Sequence, residues 1–241
     1  MWILSIKVGI ASVFLFYSCI LDLKERRIPN NVWKWMFIAL IPFTIYEAST
    51  KTAHQLIFSI AGSSFMVALA YLFYRIGAYG GADAKALMVI AVTFPFYPEF
   101  SPFPVLNKGF GIFAFSTLSN SVIAAPFMVV GFALRNLIRE GGSALKEHPI
   151  GFLFGYRVDV ADFPKFHNLL QVVRGGKIVN LRRGIDPEES GEGEELEALK
   201  RAGCQKVWAT PQLPFLIFIT AGFILATFIG DLLVFLISLI L

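Results

Sequence analysis

The sequence predicts a polytopic α-helical membrane protein, with six transmembrane helices and a small α+β domain between spans five and six. Two observations carry this. Of 241 residues, 56% are apolar and 16% charged, with a mean hydropathy of +0.66, whereas soluble domains run about 25% charged. The apolar residues also come in blocks long enough for a bilayer, which needs roughly 20 per span. The composition excludes disordered, collagen-like and disulfide-stapled folds. The two cysteines, Cys19 and Cys204, form no CxxC pair, so zinc ribbons and thiol redox motifs are excluded as well.

The expected spans are Trp2–Leu21, Val32–Ser49, His54–Ile76, a short Ala84–Tyr97 closed by Pro95 and Pro98, Phe110–Leu134 and Leu213–Leu241. Lys7 stands close enough to the start of the first to snorkel. That span is expected to be retained, because its flanking positive charge follows the apolar run and no small-residue cleavage site precedes Asp22. Arg135–Thr210 holds 12 Lys or Arg and 11 Asp or Glu and cannot cross a membrane. The expected organisation is therefore residues 1–134 as spans one to five, 135–210 as a polar domain and 211–241 as the final span. Within the polar domain, Phe152–Val160 and Lys177–Leu181 read as strands. An acidic linker, Asp186–Glu195, follows, and Glu194–Arg201 reads as a short helix ending at Gly203.

Basic residues set the expected orientation. With the loop after the first span inside, six short-loop Lys and Arg face the cytoplasm and three (Lys7, Lys51, Lys108) face out, as the positive-inside rule requires. The polar domain is then cytoplasmic and both termini are outside. The net charge of +4 is a topology signal and gives no reason to invoke nucleic acid.

Acidic residues at the edge of a span point to a functional site by default. Asp22 ends the first span and Asp83 opens the fourth, which puts both at the inner face. Asp231 lies 17 residues beyond Pro214, about 25 Å along a helix, so it does not join them. Two carboxylates held together share a proton, the second ionising with difficulty. The ionised member takes a proton from water while the neutral one polarises a peptide carbonyl. This chemistry needs neither a metal nor a cofactor. The sequence has no HExxH, serine elbow or phosphate loop, and its three histidines, His54, His148 and His167, are scattered. The plainer alternative for each aspartate is an interfacial ion pair with a neighbouring Lys or Arg.

The surroundings of the two aspartates are specific. Asp22 opens Asp22-Leu-Lys-Glu-Arg-Arg-Ile-Pro-Asn30, and Asp83 sits in Gly80-Gly81-Ala82-Asp83-Ala84-Lys85. With Val207-Trp208-Ala-Thr-Pro211-Gln-Leu213-Pro214 entering the last span, the chain resembles the type IV prepilin peptidases, and within them the archaeal preflagellin peptidase branch. That resemblance implies a GxGD-class intramembrane aspartyl protease with Asp22 and Asp83 as the catalytic pair. It implies Gly80, Gly81, Lys85, Pro211, Leu213 and Pro214 as loop and substrate-positioning residues. The substrates implied are preflagellin or prepilin-like precursors with short basic leaders, cut at the cytoplasmic membrane boundary, and membrane lipids are the other expected partners. The class has Gly just before the second aspartate, where this chain has Ala82. The four-cysteine loop of the bacterial branch is missing. The segment around Pro211–Pro214 resembles the Pro-Ala-Leu stretch of presenilin-like members, which implies a strand that receives substrate by β-addition. Prolines at the start of a span are also common for their own sake. Two rival functions stand beside this one: a signal-peptide-peptidase-like protease, and a non-enzymatic transporter or assembly scaffold.

Overall fold

The computed structural model describes residues 2–99, 105–185, 194–212 and 214–240, with the backbone alone for Arg182 and Arg183. The chain is mostly helical with one small sheet, and it divides into two compact units: Met1–Ala125 with Pro214–Leu241, and Pro126–Leu213. Of the acidic linker, residues 186–193 lie outside the described residues, as do the side chains of the Arg182–Arg183 pair.

The first unit contains α1 (Trp2–Glu25), α2 (Asn30–Ser49), α3 (Ala53–Arg75), α4 (Gly81–Thr93), the first half of α5 (Phe113–Glu140), α9 (Phe215–Phe228) and α10 (Leu232–Ile240). Among the described residues, α1, α3 and α5 are long and apolar enough to cross a bilayer. The other predicted spans are helical too, but with different bounds. At about 1.5 Å per residue, the 13 residues of α4 cover roughly 20 Å of a hydrocarbon core some 30 Å thick. The last predicted span is two helices rather than one, broken between Phe228 and Leu232.

α4 lies at the centre of this unit. Ala84, Ala86, Leu87, Ile90 and Ala91 are buried on it, and its small residues let α2, α3 and α9 approach. The core around it includes Leu15, Met36, Leu40, Met66, Leu216 and Ile219. Just past its end, Phe94, Phe113 and Phe223 form an aromatic triangle with centroids 5.3–5.4 Å apart. Gly222 on α9 is required by contact: a Cβ there would stand 2.2 Å from the carbonyl oxygen of Thr117 on α5.

Most buried polar groups inside the bundle are satisfied by neighbours, as burial away from water demands; Trp33 Nε1 on α2 is buried without a hydrogen-bond partner among the described residues. Lys7 does not snorkel. It is fully buried, paired with Glu47 on α2, and its Nζ lies 4.6 Å from the centre of the Phe94 ring. Ser63 Oγ donates to the carbonyl of Ala91 at 2.7 Å, and Asn120 Nδ2 donates to that of Gly230 at 2.8 Å. These two make the helix-to-helix bonds expected of intramembrane polar residues, whereas Ser18 bonds back to Phe14 on its own helix.

The second unit is a four-stranded antiparallel sheet of β1 (Tyr156–Asp159), β2 (His167–Arg174), β3 (Lys177–Ile185) and β4 (Lys206–Pro211), in the order β1-β4-β2-β3. The short helices α6 (Ser143–Glu147), α7 (Pro149–Phe154) and α8 (Glu194–Arg201) belong to it, as does the second half of α5. Two-residue alternation gives each sheet face its own core. Leu169, Val207 and Ala209 face one cluster with Leu199, while Leu170 and Trp208 face another with Ala144 and Phe152. Gly175 and Gly176, with φ of 58° and 75°, make the tight β2–β3 turn that demands such backbone. Helix α8 matches its expected range. Phe152–Phe154 is the end of α7 rather than strand, because Pro149 at the first turn and the His148 cap start a helix there.

Removing one member of the Lys7–Glu47 pair strands the other, and the two losses are unequal. Glu47→Leu leaves a fully buried ammonium and should lower unfolding stability by about 3 kcal/mol. Lys7→Met leaves a carboxylate that is 20% exposed and should cost clearly less. The double variant should recover most of the larger loss; thermal unfolding of the four proteins in detergent measures all three differences.

Candidate active site

Asp22 occupies the last turn of α1 and is half-buried. The helix stops at Arg26, whose φ of 53° places it in the left-handed region and whose N–H still donates to the carbonyl of Asp22 at 3.2 Å. The Arg26 guanidinium is held below its ordinary pKa by burial, against the opposing pull of the Asp22 charge. Pro29 follows in extended backbone (φ −59°, ψ 138°) as the N-cap of α2, so Ile28-Pro29-Asn30 turns the chain from one helix into the next.

Asp83 stands in the first turn of α4 and is buried, with 8% exposure. Its Oδ2 accepts a hydrogen bond from the N–H of Gly80, the helix N-cap, at 3.2 Å. A carboxylate at a helix N-terminus is favoured by the aligned peptide dipoles as well. Its Oδ1 is buried and has no hydrogen-bond partner among the described residues. A Cβ at Gly80 would lie 3.1 Å from Oδ2 of Asp83, so a larger residue there would press on that carboxylate and shift it by a few tenths of an ångström. Gly81 is not similarly constrained: a Cβ would meet only Tyr74 at 3.6 Å. Ala82 fits, its methyl packed against the helix core.

Three contacts bring these elements together. Lys85 Nζ donates to Asn30 Oδ1 at 2.7 Å, joining the Asp83 run to the Asp22 run. Cys19, one turn before Asp22, meets Thr220 Oγ1 at 3.1 Å and ties α1 to α9. Tyr79, directly before the glycine pair, stacks on Phe215 with centroids 4.8 Å apart and takes the edge of Phe73 at 5.1 Å. It thereby fixes the start of α9 against the loop that leads to Asp83. Its phenol is pushed above the ordinary range, by burial first and by the Asp83 charge second.

Asn30 and Tyr79 carry this arrangement without having been singled out for it. Asn30 stands inside the quoted Ile-Pro-Asn run, but an amide shows its partner only in three dimensions. Tyr79 had a single signal, an aromatic residue immediately before Gly80-Gly81.

Pro211 and Pro214 fall in different settings. Pro214 is the extended N-cap of α9, and Leu213 lies outside the described residues. Pro211 closes β4, whose edges are already taken: β1 pairs with residues 206–209 and β2 with 209–211. Gln212 N–H continues to Phe166 O at 2.8 Å. The β-addition expected at Pro211–Pro214 concerns the chain at and just past the end of β4, where the Gln212 N–H is already bonded and Leu213 lies outside the described residues.

Asp231 is a structural carboxylate. It is 1% exposed and receives Ser116 Oγ at 2.8 Å, Ser119 Oγ at 3.3 Å and the N–H of Val234 at 3.1 Å. The last bond makes it the N-cap of α10, and its own N–H donates to Asn107 O at 2.7 Å. Of the histidines, His148 is spent on Gly151 N–H and the Leu170 carbonyl, and His167 on the Tyr156 hydroxyl. Among the described residues no group of three His, Cys, Asp or Glu is arranged to hold a metal.

The fold and this site define a helical membrane protein with two motif-borne aspartates on neighbouring helix ends and a small appended sheet. Residues 9–129, which include both aspartates, match the type IV leader peptidase family, and residues 147–232 match the archaeal Peptidase A24 C-terminus, type II. The chain belongs to the type IV leader peptidase family. It is 29% identical to the preflagellin peptidase of Methanococcus voltae, over 90% of this chain and 92% of that one. It is 26% identical to the preflagellin peptidase of Methanococcus maripaludis, covering 92% and 94% of the two chains. Against that of Methanocaldococcus jannaschii, the identity is 24% over 92% and 93%.

Two tests address the positioning contacts. Tyr79→Ala loses the stack on Phe215 and should lower stability by about 1 kcal/mol, while Tyr79→Phe keeps it and should stay within a few tenths. Burial and a neighbouring negative charge both oppose phenolate formation, so Tyr79 should ionise at higher pH than an exposed tyrosine. The difference in ultraviolet pH titration between the parent and Tyr79→Phe isolates that group. For the Lys85–Asn30 bond, a double-mutant cycle with alanine at each position should give a coupling of about 0.5 kcal/mol, as befits an exposed pair.

Proposed function

We propose that this chain is a membrane aspartyl endopeptidase that removes short basic leader peptides from preflagellin-like and prepilin-like precursors at the cytoplasmic membrane boundary. Asp22 and Asp83 are its catalytic pair. The observation that carries the reading is the unequal treatment of the buried carboxylates. Every oxygen of Asp231 is engaged by the fold, whereas Asp83 Oδ1 has no partner among the described residues. A buried polar atom without a partner costs stability, so it points to a group held ready for something outside the fold. Membership of a leader peptidase family supports the same reading, as do relatives that bear the name preflagellin peptidase.

The chemistry follows from the pair. The ionised aspartate accepts a proton from water as its oxygen attacks the scissile carbonyl carbon, and the protonated aspartate donates to the carbonyl oxygen. Collapse of the tetrahedral intermediate breaks the C–N bond: the departing amine takes the proton that the first aspartate received from water, and the second aspartate recovers its proton as the carbonyl re-forms. Gly80 and Gly81 leave room beside Asp83 for an extended substrate backbone, and Lys85 holds the two aspartate-bearing segments in register through Asn30. The substrate's hydrophobic helix stays in the bilayer, with its basic leader in the cytoplasm, and both termini of the enzyme are outside.

The test is cleavage of a preflagellin-like peptide with a Lys-Gly or Arg-Gly junction by the detergent-solubilised chain. Asp22→Asn and Asp83→Asn should each lower the rate at least about 100-fold. Asp231→Asn should cut at the parent's rate per folded molecule while unfolding more easily. Cleavage that survives in both of the first two variants overturns the aspartyl reading. A cut deep in the apolar segment, with no preference for the basic junction, replaces the substrate class with signal-peptide remnants. Ala82→Gly tests whether the class glycine would speed the reaction.

A further inference from the structure

The end of the first unit opposite Asp22 and Asp83 holds a second feature that the peptidase reading does not use. Between α2, α3 and α4 lies a cavity of about 650 Å³, walled by Ala48, Ile60, Val67, Tyr71, Val92 and Phe96. A second, of about 330 Å³, shares Ser59, Pro95 and Phe96 with it and is lined at its other side by Lys51, His54, Gln55 and Glu99. The two adjoin at Ser59, Pro95 and Phe96, the larger one mostly apolar and the smaller one polar at the α2–α3 turn, so that they stand as a groove and its mouth.

The interior is more apolar than its residue names suggest. Thr44 Oγ1 donates to the Thr93 carbonyl at 2.7 Å, Ser59 Oγ to that of Leu56 at 3.0 Å and Ser63 Oγ to that of Ala91 at 2.7 Å. Their hydrogens are spent on backbone, so the groove offers methyl and methylene surface. At the mouth the charges divide unevenly. Glu99 is ion-paired to Lys108, and Gln55 is engaged in the capping box with Thr52. Lys51 lies over the Phe96 ring at 5.2 Å and has no ion pair among the described residues. Lys51 and His54 are both exposed and present uncompensated donors just where the apolar groove opens.

A groove of this form suits a molecule with one hydrocarbon chain to bury and an anionic group at its end. A substrate helix does not fit: at 10–12 Å across, it would fill 650 Å³ in roughly one turn. We propose that this groove binds an anionic phospholipid, with one hydrocarbon chain between α2, α3 and α4 and the headgroup phosphate at Lys51 and His54. Close van der Waals packing of the chain against the groove walls supplies the affinity, and the two side chains supply the preference for negative charge. The site is separate from the aspartates and stands or falls independently of the peptidase reading.

The experiment is native mass spectrometry of the intact detergent-purified chain, titrated with phosphatidylglycerol, with phosphatidylcholine of the same acyl chains, and with inorganic phosphate. The parent should retain one phosphatidylglycerol in preference to phosphatidylcholine by about fivefold and should retain no phosphate. Lys51→Gln with His54→Gln should abolish the preference while leaving the chain-dependent binding. Ala68→Phe, which fills the groove from α3, should remove the bound lipid of either kind, with gel filtration checking that the variant remains monodisperse. Equal retention of the two lipids by the parent overturns the headgroup assignment. Retention unchanged in Ala68→Phe overturns the groove, and binding of phosphate alone replaces the lipid with a simple anion site.

Discussion

A chain this apolar leaves few buried polar atoms without a partner, and that constraint organises the first unit. Away from water an unpaired polar group is expensive, so several inside the bundle select a partner on another helix and thereby fix it, while hydroxyls such as Ser18 and Thr227 bond back within their own helix. Lys7 chooses Glu47 and sets α1 against α2. Ser63 bonds the Ala91 carbonyl and sets α3 against α4. Asn120 takes both the Gly230 carbonyl and the Leu232 N–H, so one amide holds the break in the final helix pair. Trp33 Nε1 and one oxygen of Asp83 depart from this rule, and Asp83 sits where two sequence motifs meet.

The break at Gly230-Asp231 belongs to the same logic. Ending α9 at Phe228 frees backbone groups that lipid cannot satisfy. The Leu106 N–H, the Asn107 carbonyl, the Asn120 amide and the Asp231 carboxylate supply the partners. Ser116 and Ser119 hold that carboxylate in place, and Gly230 supplies a φ of 112° that a side chain would oppose. An aspartate can thus be deeply buried for purely architectural reasons. Burial alone therefore does not identify a catalytic carboxylate.

Short α4 has a similar consequence for the candidate site. A helix of 13 residues surrounded by longer ones brings its N-terminus, with Gly80 and Asp83, in among the ends of its neighbours. Asn30 reaches it from α2 through Lys85, and Phe215 reaches the preceding loop from α9 through Tyr79. Three chain segments far apart in sequence converge there. In the second unit β4 is likewise set between segments distant in sequence, with β1 on one side and β2 on the other.

Local pattern sufficed wherever a residue's role depends on its own neighbourhood. Long apolar runs gave α1, α3 and α5, because a bilayer imposes length and hydropathy on any helix that crosses it. Glu194–Arg201 followed by Gly203 gave α8, because helix ends are written in a few adjacent residues. Asp22-x5-Ile28-Pro29-Asn30 and Gly80-Gly81-x-Asp83-x-Lys85 marked the two aspartates, because acidic residues at span edges are rare. Strands β2 and β4 escaped, since a half-buried strand in a small sheet carries only a brief alternation that pairing partners complete. Whether Lys7 snorkels or pairs, whether Pro211 lies at an edge or in the interior, and whether an apolar span runs on or breaks at Gly230 depend on residues 40 to 120 positions away. No local pattern contains them. They were decided only when tertiary packing brought donor and acceptor together and removed the water that would otherwise have served either one.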